Sequence, residues 1–220
     1  MSAMESLFEM NSQQSIEFPK PLADEFRPMR IDNFCGLHKQ RKVLSAFVKA
    51  PRPCAFLFVG QPGCGKTAMG LALAAELDAT LWHVGSQDCT VDRLRELWTH
   101  LAYVPKSGLR GFHLVLCDEI DTASDAALKA LLSKLDSTER LANVIWIFTC
   151  NSDETLDARF ISRTLRLDFN SYGASSEIAD LLARIWTLKA PTAPAPDFKK
   201  MAVGNVRESL SRLEIEILSA

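Results

Sequence analysis

The sequence predicts an α/β protein: a three-layer sandwich with a central parallel sheet, followed by a small all-helical unit. Three observations carry this reading. Apolar runs of strand length alternate with stretches that are apolar at helical spacing, and the central runs are apolar throughout, as in strands covered on both faces. Three of those runs end at Gly60, at Asp118-Glu119 and at Asn151, at the carboxyl ends where open parallel sheets bind ligands. From about Tyr172 onward only helical patterns remain.

Residues 1 to 20 are polar and sparsely apolar, and are expected to form a mobile arm able to dock on a partner. Pro21 to Pro28, then Ile31 to Gly36, lead into a helix expected to carry Leu37, Leu44, Phe47 and Val48 on one face. Pro51 and Pro53 close it. Ala55-Phe56-Leu57-Phe58-Val59 reads as a buried strand, and Met69, Leu73 and Leu77 mark the helix after it. A strand at about Thr80–Val84 and a helix with Leu94, Leu97, Trp98 and Leu101 follow, broken at Pro105-Lys106-Ser107-Gly108. The run from Phe112 to Cys117 is the next strand, and Leu128, Leu131, Leu132 and Leu135 then share a helix face. Val144 to Cys150 is a further buried strand. After a short helix, Thr164 to Phe169 alternates strictly, as expected of a sheet edge. The helical remainder pairs a face of Ile178, Leu181, Leu182 and Ile185 with a last helix bearing Val206, Leu210, Leu213 and Ile217, across a Pro/Ala linker at residues 191–196. The expected division is an arm over 1–20, a core over 21–171 and a helical lid over 172–220.

The loop Gly60-Gln61-Pro62-Gly63-Cys64-Gly65-Lys66-Thr67 fulfils G-x-x-x-x-G-K-[ST], between a strand and a helix. Such a loop binds phosphate for physical reasons. Residues without a Cβ let backbone N–H groups turn around a polyphosphate, and the helix that follows points its positive dipole end at the same anion. Lys66 brings a mobile charge to the outer phosphates, and the Thr67 hydroxyl is a hard oxygen suited to Mg²⁺. Asp118, at a strand tip, is placed to hold that metal directly or through water, and Glu119 to polarise an attacking water. Asn151 either holds the water or γ-phosphate, or simply turns the chain after a strand.

A net charge of −2 over 220 residues gives no sign of a dominant polyanion-binding surface, although a local basic face would not appear in the total. Six cysteines without a C-x-x-C pair read as reduced, mostly buried residues, with neither a disulfide framework nor a zinc site. No apolar run reaches the roughly 18–20 residues of a membrane span, and the N-terminus lacks a signal pattern, so a soluble cytoplasmic protein without membrane contact is expected.

The order of phosphate loop, Asp-Glu strand, strand-end Asn151 and Ser162-Arg163 resembles the AAA+ ATPases, which belong to the P-loop NTPases. Within them the chain is most similar to the clamp-loader group: replication factor C small subunits and bacterial polymerase III subunits. Phe26-Arg27-Pro28 with Phe34-Cys35-Gly36 is similar to the segment that wraps the adenine there, which implies nucleotide contacts by Arg27 and Phe34. Ser162-Arg163-Thr164 is similar to the Ser-Arg-Cys motif, and Gly204-Asn205-Val206-Arg207 to the Gly-Asp-x-Arg motif. The resemblance implies that Arg163 acts in trans as an arginine finger, the alternative being an ion pair with a carboxylate such as Asp157 or Asp168, and that Arg207 meets the γ-phosphate in cis. It implies ATP and Mg²⁺ as ligands, partners that are other copies or other AAA+ subunits, and action on DNA or a DNA-bound protein. Departures are Thr164 for the usual cysteine, Ile120 within Asp118-Glu119-Ile120-Asp121, no zinc cysteines, no aromatic-Gly pore loop, and a sequence that ends where the collar domain would begin. The alternative expectation is an ATP-gated interaction module, or a helicase-loader-like protein, with little hydrolysis of its own.

Overall fold

A computed structural model describes residues 19–105, 111–136, 141–170 and 174–220. Nearly all of the expected arm, the break at Lys106-Ser107-Gly108 and the change of character at Tyr172 lie outside the described residues.

The chain folds as α1 (Leu22–Glu25), a 3-10 turn (Ile31–Asn33), α2 (His38–Lys49), β1 (Cys54–Val59), α3 (Lys66–Glu76), β2 (Thr80–Val84) and α4 (Val91–Leu101). It continues through β3 (His113–Cys117), α5 (Asp125–Leu135), β4 (Val144–Cys150), α6 (Ala158–Ile161), β5 (Leu165–Asp168), α7 (Ser175–Lys189), α8 (Phe198–Met201) and α9 (Val206–Ser219). Among the described residues, five strands form one parallel sheet in the order β2-β3-β4-β1-β5. β1 is thus flanked by β4 and β5, strands that come late in the chain. The strand order reverses beside it, which opens a crevice at its carboxyl end.

Alternation within β1 supplies both faces. Ala55, Leu57 and Val59 face a cluster completed by α4, α5 and α6, through Leu94, Leu97, Leu131, Leu135 and Phe160. Cys54, Phe56 and Phe58 face the opposite cluster, completed by Leu44 of α2 and by Met69, Leu73 and Leu77 on and just after α3. A strand buried on both sides favours apolar residues throughout, and β1, β3 and β4 are buried at every position, with His113 and Thr149 the polar side chains among them. Leu37 belongs to the second cluster but stands at the N-cap of α2 with φ +54°, one residue before the helix rather than on its face. On α5 the buried positions are Ala127, Leu131 and Leu135, whereas Leu128 and Leu132 are only partly covered.

A third cluster joins α7 and α9 through Ile178, Leu182, Ile185, Leu210 and Leu213, with Leu22 of α1 inserted. Leu181 is partly buried beside it. The C-terminal helices meet the sheet domain through polar ties. The Gly36 N–H donates to Glu177 Oε2 at 2.7 Å, His38 Nε2 lies 2.8 Å from Glu177 Oε1, and Asn205 Nδ2 donates to Pro62 O at 2.8 Å. Lys189 of α7 pairs with Glu25 of α1 at 2.5 Å.

The Gly36 N–H bond holds the Glu177 carboxyl below the usual carboxylate range, with His38 adding to the effect. A depressed folded-state pKa contributes stability that is present above the unfolded value, about 4.3, and is lost as pH falls through the folded one. The melting temperature should therefore drop between about pH 5 and pH 3, and the drop should be shallower in Glu177→Gln, as thermal melts across that range would show.

Candidate functional site

The Gly60–Thr67 loop leaves β1 at the crevice between β4 and β5. The Gly60 N–H donates to Cys150 O at 3.2 Å and the Phe169 N–H to Val59 O at 2.6 Å, so both neighbouring strands fix where the loop starts. A Cβ on Gly60 would lie 3.0 Å from Phe169 Cβ and 3.1 Å from its carbonyl carbon, so this glycine serves close chain packing. Gly63 and Gly65 adopt φ +79° and +96°, values that side chains disfavour, and Gly65 caps α3.

Lys66 opens α3 and is 7% exposed. A buried ammonium must be surrounded by acceptors, and Nζ donates to Gly60 O at 2.6 Å, Gln61 O at 3.1 Å and Asn151 Oδ1 at 3.1 Å. Asn151, one residue past β4, is thereby tied to the loop. Its N–H donates to Asp121 Oδ2 at 3.1 Å, so the residue bridges two strand ends as well as turning the chain.

Beside this cluster, the Thr67 hydroxyl donates to Asp118 Oδ1 at 2.9 Å. The same oxygen accepts from Thr149 Oγ1 at 3.0 Å, and His83 Nε2 lies 2.6 Å from Asp118 Oδ2. Glu119 is exposed and has φ +52°, a left-handed conformation that is uncommon outside glycine. Its N–H donates to Thr149 Oγ1 at 3.0 Å, which anchors the turn while the carboxylate is left free of the sheet. The adjacent Thr67 hydroxyl and Asp118 carboxylate form a hard-oxygen pair that fits Mg²⁺. Burial pushes the Cys64 thiol up, so the loop's cysteine stays neutral.

These groups open into one cleft of about 1180 Å³, whose lining includes Pro62, Gly63, Cys64, Gly65, Lys66, Thr67, Asp118, Glu119 and Asn151. Arg27, Phe34 and Arg207 also line it. Phe34 is buried, and its ring stands 3.4 Å from where a Cβ on Gly65 would be. Arg27 pairs with Asp24. Gly60 and Gln61 contribute only through Lys66, and neither is among the lining residues. Arg163 also lies outside that lining. In this chain Arg163 does pair with a carboxylate, though with neither Asp157 nor Asp168: Nη2 lies 3.2 Å from Asp136 Oδ2, and Nη1 donates to Arg159 O at 2.9 Å. Asp157 is taken by Arg159 at 2.6 Å, which pulls its carboxyl down to about 2.

Sequence reasoning passed over four residues. Thr149 is the one hydroxyl in the apolar run of β4, and it is 1% exposed. A polar side chain in a strand otherwise fully buried was the signal available. Asp121 was legible only as part of Asp118-Glu119-Ile120-Asp121. Asn205 was read as part of a motif, without its contact to Pro62. His83 carried no signal, because an exposed histidine on an edge strand is ordinary.

A family model described as the ATPase family associated with various cellular activities (AAA) matches residues 56–172. The chain is 26% identical over 200 residues to replication factor C small subunit 2 of Pyrobaculum aerophilum, across 87% of this chain and 62% of that protein. It is 25% identical over 199 residues to the replication factor C small subunit of Methanocella arvoryzae, across 87% and 61%. The chain thus spans under two thirds of the length of these relatives. In fold it is similar to the RuvB Holliday junction branch migration motor of Thermotoga maritima, with a TM-score of 0.71 at 19% identity, covering 89% of this chain and 68% of that one.

Thr149→Val keeps the shape of the side chain and removes the hydroxyl that joins Asp118 to the Glu119 N–H. Leaving that N–H without its acceptor should cost about 1–3 kcal/mol, read as a lower urea midpoint with an unchanged slope.

Proposed function

Because this chain belongs to the ATPase family associated with various cellular activities, we propose that it binds ATP on the Gly60–Thr67 loop and hydrolyses it in sites shared between subunits. The proposed setting is a clamp-loader-like assembly acting on DNA or a DNA-bound protein. The observation that carries the reading is the convergence of Lys66, Thr67, Asp118 and Asn151 at the carboxyl ends of three strands, as the hydrogen-bonded pairs Lys66–Asn151 and Thr67–Asp118 lining one cleft. The likeness to replication factor C small subunits supports the assembly and its DNA-linked setting.

The chemistry follows from the donors. Lys66 exchanges its carbonyl partners for the outer phosphates, whose charge it balances better than neutral oxygens do. Thr67 and Asp118 would hold Mg²⁺, which supplies positive charge against the phosphate oxygens. Glu119 accepts a proton from, or polarises, the attacking water, and Asn151 orients it. Arg207, at the start of α9, reaches the γ-phosphate from the same chain. Phe34 and Arg27 border the nucleoside end of the cleft. Arg163 serves a neighbour's site: its side chain is 33% exposed, and its ion pair with Asp136 is itself exposed enough to be given up when a neighbour docks. A planar, always-charged donor suits that role.

The test is ATP turnover by the full chain over a protein concentration series, with and without primer-template DNA. Specific activity should rise with concentration, and Arg163→Ala should lower it by about 10³-fold while ATP binding persists. Mixing Arg163→Ala with Lys66→Ala should restore turnover, since each variant supplies what the other lacks. Turnover independent of concentration and unaffected by Arg163→Ala would overturn the shared site. Tight ATP binding without turnover in any mixture would instead favour an ATP-gated interaction module.

A further inference from the structure

We infer that Asn205 is a positioning residue that latches the C-terminal helices onto the phosphate loop and so sets where Arg207 stands. This rests on the reading of the loop as the ATP site. The observations are local and independent of one another. Asn205 Nδ2 donates to Pro62 O at 2.8 Å, while Asn205 Oδ1 accepts from the Glu208 N–H at 3.2 Å and caps α9. One amide thus holds a helix terminus with its oxygen and the loop with its nitrogen.

The loop is shaped to receive it. A Cβ on Gly63 would fall 2.5 Å from Asn205 Oδ1, 3.0 Å from Nδ2 and 3.1 Å from Arg207 Cβ. The missing side chain at Gly63 is therefore filled by the first turn of α9, and Gly63 serves the helix contact as well as the turn. The segment behind Asn205 is also pinned. Ser209, fully buried, donates through Oγ to Asn205 O at 2.9 Å and accepts from the Val203 N–H at 3.2 Å. Arg207 lies two residues beyond the latch on the same helical turn, so displacement of Asn205 displaces the arginine.

The residue type follows from the two bonds. Aspartate or serine caps a helix N-terminus as well as asparagine does. Neither can replace it here: a carboxylate has no N–H to give Pro62 O and adds negative charge beside a phosphate site, and a serine hydroxyl is too short to span both partners. The asparagine in Gly204-Asn205-Val206-Arg207, where the related motif has aspartate, is thus explained by a donor that only an amide provides.

The test uses the full chain with Asn205→Ser, Asn205→Asp, Gly63→Ala and the double variant Gly63→Ala/Asn205→Ser. Amide hydrogen exchange at residues 61 and 63–65 without nucleotide should quicken about threefold to tenfold in Asn205→Ser, and the melting temperature should barely change because the cap survives. ATP affinity, followed with a fluorescent ATP analogue, should fall by a similar factor in Asn205→Ser and further in Asn205→Asp. Gly63→Ala should weaken binding by a smaller factor in the Asn205→Ser background than in the parent. That coupling reads the packing of Asn205 on Gly63, and the quickened loop exchange in Asn205→Ser reads the bond to Pro62. Unchanged loop exchange in Asn205→Ser, or strict additivity of the two substitutions, would overturn the latch. Failure of the parent to bind the analogue would instead count against the ATP site, and the exchange measurement would still decide the latch.

Discussion

A charged group enclosed by protein has to be compensated on the spot, and the ammonium of Lys66 is such a group. Its acceptors come from the end of β1, from the loop and from the residue after β4. They can meet only if β4 lies beside β1 in parallel register, as it does from Cys54 opposite Ile145 to Val59 opposite Cys150. The sheet order and the closure of the loop therefore depend on one another. Removing either the strand pairing or Asn151 would leave a buried charge short of partners, a state that costs more than any single apolar contact. The proposed ATP site draws on the same cluster: its cation is already desolvated and held by neutral oxygens, which a phosphate would replace.

Much of this was legible in the chain. The strands announced themselves because a parallel strand covered on both faces favours apolar residues at nearly every position, and the runs at residues 55–59, 112–117 and 144–150 hold only His113 and Thr149 as polar residues. The chemistry was legible where it sits at strand ends, since Gly60, Asp118 and Asn151 interrupt those runs abruptly. What was not legible depends on side chains from distant segments meeting. Arg163 had several carboxylates within plausible reach, and which one it finds depends on how the end of α5 packs against α6. Asp136 won because Asp157 is held two residues away by Arg159. Leu37 has the right polarity for a helix face, yet its φ of +54° starts the helix one residue later.

The C-terminal helices show the same division between pattern and meeting. Their apolar spacing forecast a packed pair, and Ile178, Leu182, Ile185, Leu210 and Leu213 form its core. Spacing gave no indication that Leu22 would complete that core, nor that the pair would be tied to the sheet domain by Gly36, His38 and Pro62. Apolar packing by Leu22, Phe26 and Cys35 and the polar ties at Gly36, His38 and Pro62 together hold the helices beside the loop. Membership of the AAA family agrees with this arrangement, and the low identity to the solved RuvB structure shows that the fold outlasts most of its side chains.

The central claim is that the Lys66 cluster is a nucleoside triphosphate site, and isothermal titration of the full chain with ATP and Mg²⁺ tests it most directly. One ATP bound per chain is the expected result, with weaker binding once EDTA removes the metal and none in Lys66→Ala. Absence of binding by the parent chain, or equal binding by Lys66→Ala, would contradict it.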